Sequence, residues 1–140
     1  MKTTVCAAVG AAGSCIAALF GGWDGAMVTL AVFMAVDYAA GLIVAGVFHA
    51  SGKSEGGALE SRAGFKGLCR KGMTMLFVLV ASRLDALLGT DYIRSGVIIG
   101  FAANELLSIV ENAGLMGLPL PAAVTRAVDV LSARGEERHG

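Results

Sequence analysis

The sequence predicts an all-α membrane protein with about four transmembrane helices and a short C-terminal amphipathic helix. Three observations carry this expectation. Hydrophobic residues make up 56% of the 140 and charged residues only 16%, with a mean hydropathy of +0.72, whereas soluble domains carry roughly 25% charged residues. A chain of this length has too little interior to hide so much apolar surface from water. The apolar residues are also gathered into long blocks without period-two alternation, each longer than the roughly ten residues of a barrel strand.

The first block, about residues 5–20, sits in an uncharged stretch from Thr3 to Trp23 that follows Lys2. About 20 residues suffice for one crossing. Almost no soluble chain would remain after cleavage, so the block reads as an uncleaved first span and not as a signal peptide. Gly10, Ser14, Ala18 and Gly22 recur every fourth residue, a small-residue face that lets another helix approach closely. The block closes at "GGWDG", with Trp23 suited to a membrane interface.

The second block, about 25–48, sets Asp37, Gly41 and Ala45 along one face. A polar, glycine-rich loop is expected over 49–72. The third block, about 73–88, carries Arg83 and Asp85, which lie two apart and so point to different sides. Arg83 can pair with Glu105 or Asp37 across the bundle, or snorkel toward the interface.

The fourth block, about 92–113, has a stripe at every fourth position: Gly96, Gly100, Asn104, Ser108 and Asn112. Glu105 and Glu111 flank it, opposite an apolar back of Ile98, Ile99, Leu106 and Ile109. Gly96 and Gly100 read as helix-packing positions. An ionised carboxylate facing lipid costs at least ~2.5 kcal/mol, so Glu105 must face protein or water. A structural salt bridge, a water-filled lumen and a proton-coupled site all satisfy that condition. Because those carboxylates insert poorly, a three-span form, with the first or fourth block on the surface, stands as the alternative.

Pro119 and Pro121 then break the chain and can start a new helix. Leu120, Val124, Val128 and Leu131 recur at helical spacing, predicting an amphipathic helix at the membrane surface. Residues 134–140 read as a flexible tail. Residues 1–133 would thus form a single multi-span membrane domain. Lys53, Arg62, Lys66, Arg70 and Lys71 crowd the loop between blocks two and three. By the positive-inside rule that loop is cytoplasmic, and four spans put both termini there too.

Several function classes are disfavoured. Net charge is zero, so no overall field attracts nucleic acid. Cys6, Cys15 and Cys69 form no CxxC pair, and His49 and His139 lie outside the blocks. No metal site, cofactor motif or catalytic constellation emerges, and an enzyme is not expected.

Three segments resemble the phage lysis and toxin-secretion holin family: "DYAAGLIVAGV" from Asp37, "ESRAGFKGLCRKG", and "NELLSIVENAGLMGLPLP". The matching positions are Asp37, Tyr38 and Gly41; then Ser61, Gly64, Lys66, Gly67, Arg70 and Lys71. The third set comprises Glu105, Ser108, Glu111, Asn112, Gly117, Pro119 and Pro121. Arg62 and Ala40 are mild departures, and the likeness covers about residues 25–133. It implies a phage or prophage protein of the bacterial cytoplasmic membrane that forms homo-oligomers and opens lesions. Through these an endolysin or a secreted toxin would leave, without direct contact being implied. The competing reading is a small four-span ion-coupled transporter or channel using Glu105.

Overall fold

The computed structural model describes residues 1–53 and 56–139, with side chains through Arg134. Five helices follow in order: α1 (Lys2–Leu19), α2 (Gly25–Gly46), α3 (Ser61–Leu88), α4 (Ile93–Leu115) and α5 (Ala122–His139), with no strand among the described residues. The all-helical expectation holds.

Among the described residues four spans are not clearly marked. Three helices, α1, α2 and α4, are long and apolar enough to cross a membrane. The one that falls short is α3, not the first or fourth block. Even its most apolar 18-residue stretch, ending at Leu88, contains Lys71, Arg83 and Asp85. The third helix is also longer than the block read from hydropathy. It begins at Ser61, inside the stretch expected to be loop up to residue 72. No proline interrupts 61–88, and Gly64, Gly67, Lys71, Thr74, Val78, Ala81 and Asp85 alternate spacings of three and four. That is the period of one helix face turned toward a partner. Gly89, at φ 69° and ψ 28°, ends the helix in the left-handed conformation that glycine adopts without strain.

Helices α2, α3 and α4 form the bundle. The starts of α2 and α4 and the end of α3 meet at one end, where Arg94 bonds Asp24 and Asp85 receives the first amides of α4. Thus α2 and α4 are parallel and α3 runs against both. Above that end lies an apolar layer of Met27, Leu30, Met34, Val78, Ile98 and Ala102. Met27, Leu30 and Val78 are fully buried there. Between helices already in lipid, such a layer is held by close packing and not by escape from water.

Helix α1 stands apart. None of its residues is buried, and Gly10 and Gly22 have no atom near the space a Cβ would fill. Among the described residues Gly10, Ser14 and Ala18 of the small-residue face are exposed and meet no helix, whereas the Gly22 carbonyl accepts from Arg94 of α4.

Helix α5 folds back along α4, with Val124, Val128 and Leu131 half-buried and Leu131 against the apolar layer. The expected apolar stripe exists, but it covers α4 and does not lie free; Leu120 precedes the helix and is exposed. The helix also continues through His139, past the point where a flexible tail was expected to begin. Gly140 lies outside the described residues.

Candidate functional site

Each helix of the bundle delivers one charged side chain to the same level. Asp37 sits thirteen residues beyond the α2 cap, Glu105 eleven beyond Arg94, and Lys71 fourteen before Asp85. At 1.5 Å per residue, all three lie about 16–21 Å from the bundle's capped end. They converge on the ammonium of Lys71. Its Nζ donates to Asp37 Oδ2 at 2.7 Å and to Glu105 Oε2 at 2.8 Å. Asn112 Nδ2 donates to the other Asp37 oxygen at 3.2 Å, and Ser108 lines the same cavity. The Asp37 and Glu105 side chains are only 6% and 9% exposed and that of Lys71 15%. Ions this far from water persist only when paired and hydrogen-bonded.

A cavity of about 680 Å³ leads to this cluster from the open end of the bundle. Its mouth is framed by the connection around Ser51, Lys53 and Leu59 and by Arg70, Glu111 and Leu115. Its walls include Leu42, Phe77 and Phe101, so apolar sides lead to a charged floor. Below that floor the apolar layer closes the bundle.

Close packing of α3 on α2 depends on two glycines. Tyr38 lies over them, its hydroxyl directed at the Gly64 carbonyl at 3.4 Å. A Cβ on Gly64 would meet the Tyr38 hydroxyl at 3.3 Å, and one on Gly67 would touch the ring at 3.7 Å. The motif positions Tyr38, Gly64 and Gly67 are therefore one contact.

The opposite end carries a second polar cluster. Asp85 accepts from the Thr90 hydroxyl at 2.6 Å and from the amides of Ile93 and Arg94 at 3.1 and 2.9 Å. It supplies the acceptor that the first turn of α4 otherwise lacks. Arg94 reaches across to the carbonyls of Phe20 and Gly22 and to both Asp24 oxygens, at 2.9 and 3.1 Å. Asp24 also caps α2 through the Met27 amide at 3.1 Å. The Arg94 guanidinium holds the Asp24 carboxyl below the usual carboxylate range. Gly21, at φ +82°, is required here, since a Cβ would strike the Arg94 side chain.

The candidate residues read from sequence fall into three groups. Asp37, Glu105, Ser108 and Asn112 come together, and Gly41, Asn104 and Glu111 line the same cavity. Asp85 is buried at the far end, and Gly96 packs inside the bundle with Gly100 half-buried. Arg83 is exposed and makes no ion pair among the described residues; Lys71 takes the place opposite Asp37 and Glu105. Ser61, Lys66 and Gly117 are exposed, as are Pro119 and Pro121 in the turn before α5. Sequence reading missed Lys71 as a partner and Arg94 with Asp24 as a clamp. The three-and-four spacing back from Val78 through Lys71 is the signal that would have found the first. The clamp joins residues 70 apart and leaves no periodic trace.

Residues 14–133 match the bacteriophage holin family. The chain belongs to that family. Among its relatives, an uncharacterized protein of Listeria monocytogenes is 35% identical over 125 residues, covering 86% of this chain and 84% of the relative. An uncharacterized 14.9 kDa protein of Clostridium perfringens is 35% identical over 116 residues, covering 81% and 82%. A protein of Bacillus phage phi105 named "Probable holin" is 30% identical over 81 residues, covering 57% and 60%. No solved structure matches. The chain is thus a holin-like membrane protein, and the matched span contains all three bundle helices with both polar clusters.

Proposed function

We propose that this holin oligomerises in the bacterial cytoplasmic membrane and permeabilises it, releasing a lytic enzyme or toxin. The observation that carries this reading is the buried Asp37–Lys71–Glu105 cluster at the floor of a cavity open at one end of the bundle. Within one subunit these polar groups bond to one another, and the apolar layer beneath blocks passage. Rearrangement between subunits would turn the same groups toward water as a lumen lining that includes Asn104, Ser108, Glu111 and Asn112. Helix–helix hydrogen bonds in membranes are worth only ~0.6–2 kcal/mol each, so repacking is energetically accessible.

The ends of the helices favour four crossings despite the charge of α3. The end of α1, the start of α2, the end of α3 and the start of α4 all meet around Arg94 and Asp85. Four alternating helices produce that arrangement. At the cavity end Lys53, Arg62, Lys66 and Arg70 are exposed, which by the positive-inside rule supports a cytoplasmic placement of that end with both termini. Arg83, one and a half turns from the end of α3, then snorkels to the outer surface.

The test is expression in bacteria beside a muralytic enzyme that has no export signal of its own. Abrupt growth arrest followed by lysis that needs both proteins is the expected outcome. Growth that continues, with saturable ion-coupled flux abolished by Glu105→Gln, would favour the transporter reading instead.

A further inference from the structure

We infer that Glu105 is a proton-binding site, and that the resting cluster consists of a neutral Glu105 acid, an ionised Asp37 and an ionised Lys71. This rests on the bundle being embedded in a membrane, but not on its opening a lesion. Two carboxylates share one ammonium, so with every group ionised the cluster carries one uncompensated negative charge. A lone charge at membrane depth is costly, and one proton removes it.

The hydrogen bonds say where that proton sits. Asp37 uses both oxygens as acceptors, Oδ2 from Lys71 and Oδ1 from Asn112. A carboxyl with a donor on each oxygen is stabilised in its ionised form. Glu105 differs: Oε2 accepts from Lys71, and no donor among the described residues bonds Oε1. Its side chain is more than nine-tenths buried, yet the residue lines the cavity. That is a half-used carboxyl with one oxygen free to hold hydrogen and a path for it to arrive.

The surroundings leave the excess charge in place. The cavity that Glu105 lines is also lined by Asp37 and Tyr38 of α2, by Arg70 and Lys71 of α3, and by Glu111 of its own helix. Lys53 and Glu60, of opposite sign, stand at the mouth. The exposed Arg126 and Asp129 of α5 line no part of the cavity, and α1 contributes nothing to it. The step is a simple association: a proton from cavity water adds to the Glu105 carboxylate, and the cluster loses its net charge.

Infrared spectroscopy of the full-length protein in liposomes near neutral pH tests this. The expected result is a carbonyl band of a protonated carboxylic acid that shifts when glutamate, but not aspartate, is isotope-labelled. The band should vanish in Glu105→Gln. It should also vanish in Asp37→Asn, where the remaining Glu105–Lys71 pair is neutral without a proton. Absence of the band in the unsubstituted protein would overturn the proposal, as would a shift with labelled aspartate. Persistence of the band in Asp37→Asn would show that the Asp37 charge does not impose the proton. The labelling comparison uses the unsubstituted protein, so it decides the assignment even if a variant fails to fold.

Discussion

Lys71 is the residue on which the bundle's interior depends. It is the cation that Asp37 and Glu105 share, and all three are withdrawn from water. Removing one partner of a buried ion cluster costs roughly 3–5 kcal/mol, because the others keep the cost of burial without its compensation. Lys71→Met should therefore lower the thermal midpoint of the helical signal in detergent and reduce accumulation in the membrane. Adding Asp37→Asn and Glu105→Gln to that variant should restore much of the loss. At this scale, the inward turn of Asp37 and Glu105 was legible, because lipid does not tolerate a facing carboxylate. Their partner was not. Lys71 stands among Lys66 and Arg70, and a basic run reads first as a solvated loop. Arg83 reads as a partner because it lies inside an apolar block, but its position near the end of α3 lets it leave the bundle, in line with the snorkelling alternative.

Among the elements, α1 and α3 carry the main departures. Hydropathy locates α2 and α4 well because few charges interrupt them. It finds only the apolar half of α3, since Lys66, Arg70 and Lys71 lower the average over the half that packs on Tyr38. The fold of α1 is legible, but its attachment is not, for it depends on Arg94 gripping the Phe20 and Gly22 carbonyls and Asp24. Asp24 has its folded pKa depressed by Arg94. A depressed carboxylate contributes stability that is present above its unfolded pKa, about 3.9, and lost as pH falls through the folded value. Acidification below about pH 4 should thus loosen the α1–α2 turn while neutral and mildly alkaline conditions leave it intact. Trp23 fluorescence reports the change, and Asp24→Asn should flatten the profile. A turn signal equally pH-dependent in Asp24→Asn would exclude this clamp as its source.

For the whole molecule, the proposed oligomer would use the exposed face of α1 around Gly10, Ser14 and Ala18, which no helix covers among the described residues. Ser14→Cys, introduced into a background with the exposed Cys6, Cys15 and Cys69 changed to Ser, should cross-link subunits in the membrane under mild oxidation. Leu87→Cys, on an exposed position at the far end of α3, should cross-link less. Oligomerisation of this kind has no signature in a single chain's hydropathy beyond the four-residue spacing of small side chains, so the sequence shows a surface but not its partner.

If, as proposed, these bundles reassemble around their polar faces into lesions wide enough for protein, liposomes carrying the purified protein should release graded solutes. The release should rise steeply with protein density and extend to folded protein cargo. Liposomes that retain dyes of every size, while the inserted protein remains monomeric, would overturn that proposal.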